Sequence, residues 1–442
     1  MQAIQSILLP PIKRDPTLTV DKSLLETCKP HHRKAVELAM TDLYGVRHEA
    51  LIRLPASWEK YMCEKVLNDP RDLRLALTFL QVALWLVFSC AVQLFLLPRD
   101  SRALWWMVIH LPITWVGFAQ RFILSMHYAA HRPLFSPKHL GRFVAASLNV
   151  FPQVVMSNFY GMPAGAYYVH HCIMHHQANN FFPYDISSTM PYKRDSPLHF
   201  IMYVINFMLH TFLYLPFYAL QKKRYDVALG VVLCLGGYLT CFPLMYSLAP
   251  HFFLTTFGVS YVLGPFALML GNYSQHIFVD PDNPSSNYGL ACNHVNAPFN
   301  MLTFNDGYHI THHVSSITHW SEMPLHFIRH IDAYEQGGAI IFKEIAFDDI
   351  TFNVFAGDAG LRRLAKQVIQ IVPEEKHLTD EELVALFKKR LQPIQHTSIK
   401  APQLSILLAN ELMWAGLYVA GFPFAVLPMC AVPLFHALYF LA

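Results

Sequence analysis

Long apolar runs separated by short polar links form the most prominent pattern of the chain. Two of these runs, residues 76–97 and 103–125, each approach the ~20 residues that a helix needs to cross a bilayer. Because only the short link 98–102 separates them, we predict a transmembrane hairpin. Residues 227–248 and 251–271 predict a second hairpin, joined by a very short turn.

A further apolar run, residues 199–220, ends in a basic triplet at residues 222–224. Three crossings between residues 199 and 271 would place later polar motifs on the opposite membrane face from earlier ones. We therefore expect the 199–220 run to lie in the membrane interface. The basic triplet then marks the cytosolic side, since cytosolic loops are enriched in Lys and Arg.

The remaining pattern divides the chain into segments of different character. After the second hairpin, a capping box from Thr379 to Glu382 predicts a helix that ends at Arg390. Residues 401–442 contain no Lys or Arg, are interrupted by Pro423, Pro428 and Pro433, and could cross the membrane twice, once, or re-enter. The predicted segments are an N-terminal cytosolic or interfacial segment (1–75), a membrane domain (76–335), a cytosolic helical extension (336–400) and a C-terminal membrane segment (401–442).

The composition supports a lipid environment. Hydrophobic residues make up 54% and charged residues 14% of the chain, against about 25% charged in typical soluble domains. A formal net charge of +3 without a basic, aromatic-rich run argues against nucleic acid as a partner. The predicted fold class is therefore an all-α integral membrane protein, with two transmembrane helical hairpins and a cytosolic helical cap.

The N-terminus and the cysteines say less about the fold than the apolar runs do. The N-terminal apolar run is short and interrupted by two prolines, which is not typical of a secretory signal, although a transit peptide stays open. The eight cysteines include no CxxC pair and predict reduced thiols rather than a disulfide framework. Cys172 lies inside a histidine cluster, where we interpret it as a spacer and not a ligand.

Histidine is the unusual residue, with 25 copies, many in tight groups. His127 and His131 are four residues apart and would share one face of a helix. His171 and His175 repeat this spacing, so we expect them to converge on one ion. His176 lies about 100° further around a helix, where it would reach a second ion.

The third group has the spacing i, i+3 and i+4. His309, His312 and His313 would therefore lie on one helical face. His276 follows Asn272 by four residues at the end of a predicted transmembrane run. By itself it would be an interfacial polar residue, but beside the three clusters it is a candidate ligand.

These residues suggest a particular chemistry. Neutral imidazole is a ligand for Fe, Zn, Cu and Ni, and a mononuclear zinc site needs only three or four protein ligands. Eight or nine clustered histidines suit two ions. Two redox-active irons share the electrons needed to cleave O2, and the resulting oxidant attacks unactivated C–H bonds, which no side chain does alone.

The clusters resemble the three histidine boxes of the membrane fatty acid desaturase family, which includes related hydroxylases. The boxes appear in the family's order at His127–His131, His171–His176 and His309–His313, and Asn272–His276 resembles an additional ligand region. The strings MHHQANN, DISSTMPYKRD and NDGYHITHH are also similar. The resemblance covers roughly residues 76–335, and so implies a desaturase-like catalytic domain there.

The resemblance implies an O2-dependent di-iron enzyme that introduces a double bond into a fatty acyl lipid, in the EC 1.14.19-like class. It implies an integral, multi-pass protein of the endoplasmic reticulum, or of a bacterial inner membrane, with the boxes on the cytosolic side. Electrons would come from cytochrome b5 or ferredoxin with its reductase, docking through basic residues such as Lys193, Arg194 and Lys222–Arg224. The implied metal ligands are His127, His131, His171, His175, His176, Asn272, His276, His309, His312 and His313.

Alternatives remain for the reaction. The same site could hydroxylate, form an acetylenic bond or decarboxylate oxidatively, and NYSQH (272–276) is similar to an alkane hydroxylase element. The lack of an HPGG haem motif, and His309 at the start of the third box, argue against a front-end desaturase. A metal transporter is a more remote alternative.

Several polar residues near the boxes are not assigned as ligands. Asp185, Asp306 and Asn180 are candidates for orienting imidazoles, with turn or capping roles as the alternative. Structural roles are expected for a further set of histidines: His139, His170, His294, His319, His326 and His330.

Overall fold

A computed structural model describes residues 23–44, 52–181, 184–298, 300, 302–394, 402–422, 425 and 429. The chain is mostly helical. Within the described part, four helices are long and apolar enough to cross a membrane, and they contain the four runs of the two predicted hairpins. They are span 1 (Pro70–Leu96), span 2 (Ser101–His131), span 3 (Tyr225–Leu248) and span 4 (Pro250–Gln275).

Polar side chains connect the spans inside their apolar surroundings. Trp106 Nε1 donates to Ser89 Oγ at 2.9 Å, and Ser89 Oγ lies 2.8 Å from His110 Nδ1, which joins span 1 to span 2. Gln93 Nε2 donates to Thr256 Oγ1 at 3.1 Å and joins span 1 to span 4. Because buried polar groups need partners, these contacts restrict how the spans pack.

The apolar run at residues 199–220 forms two helices instead of one. Pro197–Thr211 and Tyr214–Gln221 are bent by 66° relative to each other. Ser196 caps the first helix by accepting from the backbone N–H of His199. The structure therefore has four candidate spans, or five if the bent pair is one broken span. The basic residues at 222–224 after this pair are exposed.

Short helices fill the segments around the spans. Those that precede span 1 are Ser23–Thr27, Pro30–His32, Arg33–Tyr44 and Ala56–Lys65. Those that follow span 2 are Pro137–Leu140, Arg142–Val154, Met156–Tyr160, Ala166–Tyr168, Val169–His175 and His176–Ala178. Those that follow span 4 are His309–Val314, Trp320–Glu322, Met323–Arg329, Ile331–Gln336, Phe347–Phe355, Gly357–Ala365, Glu374–Lys376, Asp380–Arg390 and the longer helix Pro402–Val419.

The all-α prediction missed a small parallel sheet. Strands β1 (Cys292–Val295) and β2 (Ile340–Lys343) pair with Cys292 opposite Ile340. All four β1 side chains are buried. A short strand buried on both faces has no alternating pattern, so the sequence did not distinguish it from a loop. The pair joins residues on both sides of the predicted boundary at 335.

The N-terminal helix Arg33–Tyr44 packs against the segment that carries the third histidine box. Asp42, which is buried, accepts hydrogen bonds from the Tyr308 hydroxyl at 2.7 Å, from Asn300 Nδ2 at 2.9 Å and from the Asn296 backbone N–H at 2.6 Å. Part of the predicted N-terminal segment is thus tied to residues almost 270 positions later. Residues 1–22 and 45–51 of that segment lie outside the described residues.

The helix predicted from the capping box is confirmed, and it covers Asp380–Arg390. Arg194 reaches the end of this helix, where its guanidinium donates to the carbonyls of Arg390 and Gln392 at 2.6 and 2.8 Å. It also donates to Ile277 O at 2.8 Å. The expectation that Arg194 serves as a surface docking residue is therefore wrong, because its side chain is fully buried among backbone carbonyls.

The C-terminal segment contains one helix, Pro402–Val419, in its described part. Trp414 of this helix is buried, and its ring centroid lies 5.1 Å from that of Phe212. The helix thus packs against the bent pair. The number of crossings expected for residues 401–442 lies partly outside the described residues, which end at 422 apart from Ala425 and Met429.

Candidate metal centre

The nine histidines proposed as ligands lie in two neighbouring groups. In each group, one ring nitrogen from every histidine lies within 4.8 Å of those of the others. The five-histidine group contains His127, His131, His171, His176 and His312. The four-histidine group contains His175, His276, His309 and His313.

His312 lies at the middle of the five-histidine group. Its Nε2 is 2.7 Å from His127 Nε2 and 2.8 Å from His176 Nε2. His176 Nε2 is in turn 3.1 Å from His171 Nε2. The Nε2 atom of His312 therefore lies within hydrogen-bond distance of two other ring nitrogens. One proton cannot satisfy both of these contacts.

The four-histidine group has the same convergence. His276 Nε2 lies 3.0 Å from His309 Nε2 and 3.2 Å from His313 Nε2. The outward Nδ1 of His276 is 3.0 Å from the Leu290 carbonyl, and that of His313 is 3.2 Å from Asn179 Oδ1. Since these oxygens only accept, each Nδ1 carries the proton, and both Nε2 atoms present lone pairs to each other.

This arrangement fits a metal ion in each group. Facing lone pairs at 3.2 Å repel each other unless a cation lies between them. Burial lowers the pKa of His276 to about 3, and burial together with neighbouring histidines lowers the pKa of His171, His309 and His312 well below the usual value. These imidazoles are therefore neutral at physiological pH, which is the form that binds metals.

The second box does not divide as the α-helical spacing predicted. His171 groups with His176, whereas His175 belongs to the other group. The reason is local, because Val169–His175 is π-helical. A π-helix bonds i to i+5 and is wider than an α-helix, so residues five apart come closer together than they do on an α-helix. Such segments are frequent at functional sites.

The third box also serves both groups. His309 and His313 lie in the four-histidine group, whereas His312 lies in the five-histidine group. Their helix, His309–Val314, therefore lies between the two candidate metal positions. The expectation that all three share one face is correct only for His309 and His313.

An acidic network supports the four-histidine group. Asp185 Oδ2 lies 2.6 Å from His175 Nδ1, and its other oxygen accepts from the backbone N–H and hydroxyl of Ser187. Burial alone would raise the pKa of Asp185, but His175, His170 and Ser187 hold it below the usual range. The carboxylate is therefore charged and fixes the orientation of His175.

The polar groups behind the five-histidine group lie farther from its rings than Asp185 lies from His175. Asp306 Oδ1 lies 3.5 Å from His127 Nδ1, and Asp306 Oδ2 accepts from Gln275 Nε2 at 2.7 Å. Burial raises the pKa of Asp306 to about 7, although the Gln275 hydrogen bond opposes the shift. The Cys172 thiol lies 3.9 Å from His131 Nδ1 and is not among the ligand groups.

Asn272 and Asn180 differ from the histidines in their placement. The Asn272 amide nitrogen donates to the Tyr203 hydroxyl at 2.7 Å and to the Ser187 carbonyl at 3.1 Å. The Asn180 side-chain oxygen accepts a hydrogen bond from the backbone N–H of Thr189 at 3.0 Å, so Asn180 does not orient an imidazole. Its neighbour Asn179 has that position beside His313. The histidines assigned to structural roles lie outside both groups: His139, His170, His294, His319, His326 and His330.

Several residues that contact the two groups were missed by sequence reasoning. Gln275, Ser187 and Asn179 orient Asp306, Asp185 and His313, respectively. Gln275 directly precedes His276, and Ser187 follows Asp185 by two residues. Proximity to an assigned residue is the only signal that the sequence offered. The Leu290 carbonyl leaves no side-chain signal at all.

Two further polar groups have ligand-like spacing but different surroundings. His31, His32 and Glu335 lie together, and Lys29 Nζ is 3.1 Å from the same Glu335 oxygen that the histidines approach. Asp69 is similarly bound by Arg71, beside Asp72 and His319. A cationic side chain therefore already balances the carboxylate in each case, and these groups are ion-pair networks.

A cavity of about 200 Å³ reaches both histidine groups. His127 and His171 of the five-histidine group and His309 of the four-histidine group form part of its wall. Most of the remaining wall is apolar and comes from spans 2 and 4, with Trp115 and Leu268 among it. An apolar substrate in this cavity would contact both metal positions.

Comparison with known proteins identifies the family. The family model described as Fatty acid desaturase matches residues 103–344, which is more than half of the chain. No curated protein and no solved structure matches the chain. The matched region contains all nine clustered histidines and spans 3 and 4. The chain therefore belongs to the fatty acid desaturase family.

Proposed function

We propose that this protein is an O2-dependent di-iron desaturase that introduces a carbon–carbon double bond into a fatty acyl chain. The observation that supports it most strongly is the apolar cavity bordered by both histidine groups. In such a reaction two hydrogens leave the alkyl chain, and O2 is reduced to two waters with two electrons and two protons from a donor. The ten residues assigned in the sequence, nine histidines and Asn272, are the proposed metal site.

The side chains hold the reacting groups in place. Neutral imidazoles would bind the ions through Nε2, and iron, when bound, supplies the electron transfer to O2 that side chains cannot perform. Asp185 and the Leu290 carbonyl fix two of the rings from behind. The apolar wall of the cavity excludes water from the alkyl chain and so protects it from side reactions.

The proposed topology places the metal site on the cytosolic side. Span 2 ends at His131, and span 4 ends one residue before His276. If spans 1 and 2 and spans 3 and 4 are hairpins, both ends follow an even number of crossings and lie on one side. The protein would then be a multi-pass protein of the endoplasmic reticulum or of a bacterial inner membrane, with the cap in the cytosol.

Electrons would come from a separate protein. Cytochrome b5 or ferredoxin with its reductase would dock on the cytosolic face. Lys193 and the basic triplet Lys222–Arg224 are exposed and remain candidate contacts, whereas Arg194 is buried. Turnover by the purified chain with NADH alone would contradict this part of the proposal.

The decisive experiment is expression in a host with defined lipids, followed by mass spectrometry of the acyl chains. Desaturation gives products two hydrogens lighter than the saturated substrate, and it requires O2 and iron. A product heavier by one oxygen would instead assign a hydroxylase. Unchanged lipids together with metal uptake into vesicles would favour a transporter. A zinc-loaded, iron-free preparation should be inactive, although zinc would enter such a site readily.

A further inference from the structure

Three cavities follow one another along span 4, away from the metal centre. The first borders the histidine groups and includes Leu268 in its wall. The second includes both Leu268 and Tyr261, and the third includes Tyr261 and Gly258. Each cavity therefore shares a wall residue with the next. On a helix the distance from Asn272 to Tyr261 is about 16 Å, at ~1.5 Å per residue.

The second cavity, at about 30 Å³, is far smaller than the first, and its mostly apolar wall suits only the end of an alkyl chain. Its wall combines span 4 with the bent helix pair and includes Phe207, Met208 and Leu215. It also shares Tyr167 and His170 with the first cavity, at the metal centre. A chain that enters from the first cavity would continue into the second without meeting a charged wall residue.

Aromatic rings separate the second cavity from the third. Phe212 lines the second cavity, Trp414 lines the third, and Tyr261 lines both. The Trp414 ring centroid lies 5.1 Å from that of Phe212 and 6.4 Å from that of Tyr261. Trp414 is buried. These three rings therefore stand where a chain in the second cavity would end.

Trp414 comes from a part of the chain outside the family match. The match ends at residue 344, whereas the helix Pro402–Val419 follows it by more than fifty residues. Leu417 of this helix, and Phe422 after it, also line the third cavity. The far end of the cavity series is thus built from spans 3 and 4 together with this chain's own C-terminal segment.

We propose that Trp414, together with Phe212 and Tyr261, is a stop that sets the length of the alkyl chain this enzyme accepts. This inference rests on the proposed desaturase function. A chain that ends at the three rings fills the first two cavities, whereas a longer chain must displace a buried ring. One methylene in an apolar pocket changes selectivity by about tenfold or more, so the stop should be sharp.

The test uses membranes containing the full-length protein, supplied with an equimolar mixture of saturated acyl substrates of increasing length. Trp414→Ala removes the stop and joins the second cavity to the third. The ratio of long-chain to short-chain products should rise by about tenfold or more. Thr211→Phe fills the second cavity from its wall and should lower the same ratio. Because the ratio is internal to each sample, it does not depend on expression level.

Leu412→Ala is the matched control. Leu412 lies two residues from Trp414 on the same helix, but its side chain is 75% exposed and lines none of the three cavities. Its product ratio should equal that of the wild type. If Trp414→Ala gives no folded protein, Phe212→Leu opens the same barrier from the opposite side.

The possible outcomes separate this inference from the proposed function. If the wild type makes no oxidised product from any chain length, the desaturase function itself fails. The stop is overturned if the wild type makes product but neither kind of variant changes the ratio. The two kinds are the opening variant, Trp414→Ala or its replacement Phe212→Leu, and the filling variant, Thr211→Phe. If Leu412→Ala changes the ratio as much as Trp414→Ala, the helix acts through its packing and the assignment to Trp414 is overturned.

Discussion

The two histidine groups differ in how their rings are held. In the four-histidine group, Asp185, the Leu290 carbonyl and Asn179 each contact the outward nitrogen of one ring within 3.2 Å. In the five-histidine group, the contacts are longer, at 3.5 Å from Asp306 and 3.9 Å from Cys172. One ring in each group, His312 in the five-histidine group and His309 in the four-histidine group, has no hydrogen-bond partner for its Nδ1 atom among the described residues.

The difference suggests two ways of building a metal position. Fixed orientation reduces the entropy lost when a ligand binds its ion, so four rings, three of them oriented from behind, can replace five less oriented ones. The four-histidine group should therefore depend on its surrounding residues, whereas the five-histidine group should depend on the number of its ligands. The variants below test that contrast, beginning with the largest expected effect.

Removing a ligand should have the largest effect in either group. His312→Ala should lower product formation by more than about 100-fold, the upper range for residues that only support a ligand. Metal content should fall from two ions toward one per chain. The yield of folded protein should change little, since the spans are untouched. Metal analysis, product quantification and the folded yield in detergent measure the three effects.

The control for this variant is His139→Ala. His139 is exposed and lies outside both groups, and its variant should keep most of the activity. If the His312 variant forms nearly normal amounts of product at normal yield, His312 is not a ligand and the five-histidine group loses its centre. A reduced yield with normal specific activity would indicate a packing role.

Changing the supporting carboxylates should separate the two groups. Asp185→Asn should lower activity by about 10- to 100-fold, because it removes the charge that fixes His175. Asp306→Asn should cost less than about tenfold. Burial raises the pKa of Asp306 to about 7, so Asp306 is only partly charged at neutral pH. Metal content and product are measured for both variants, and equal losses would remove the proposed contrast.

A change near the helix that both histidine groups share should affect the two groups equally, and so leave the difference between them intact. Asp42 binds Tyr308, which directly precedes His309 on the helix that both groups share. Burial raises the pKa of Asp42 to about 7, although its hydrogen bonds oppose the shift. The folded state then retains a proton that the unfolded state has lost. The free energy of unfolding therefore falls as pH rises from about 4 to about 7.

Asp42→Asn should remove this part of the pH dependence, since an amide does not titrate in that range. Thermal unfolding of the two proteins at pH 5 and pH 7.5 gives the comparison. The wild type should lose more stability over this interval than the variant. If both proteins show the same difference, the buried carboxylate does not contribute. The metal content of the two groups should change in parallel, in contrast to the Asp185 variant.

The smallest effect is expected for Cys172. At 3.9 Å its thiol makes a weak contact with His131 Nδ1. Cys172→Ser should change product formation by less than about threefold, the lower range for one hydrogen bond. A loss comparable to that of Asp185→Asn would mean that the five-histidine group is also held by its surroundings. Activity and metal content are again the measurements.

Sequence reasoning found the candidate spans and the nine clustered histidines because both follow from short-range patterns. Apolar runs of sufficient length predict spans, and histidines three or four residues apart lie on one face of an α-helix. The division into two groups was not predictable, because the π-helical segment Val169–His175 changes which residues align. Nothing in those residue types signals a π-helix in place of an α-helix.

Contacts between segments far apart in the chain could not be predicted from the sequence either. Arg194 looked like a surface residue because arginine is rarely fully buried, yet carbonyls from three parts of the chain satisfy its guanidinium. Asn179 and Asn180 are adjacent and identical, and only the fold decides which one faces His313. The docking of Asp42 on Tyr308 depends on tertiary packing across 266 residues.

The placement of the third box between the two groups has a consequence for biosynthesis. A ribosome releases the first two boxes long before residues 309–313, yet neither group is complete without them. The nascent chain therefore presents five histidines from the first two boxes as incomplete chelators, which favour whichever available ion binds imidazole most strongly. The metal that the finished protein holds would then depend on timing, because the proposed iron site becomes distinct from an ordinary zinc site only when synthesis has passed residue 313.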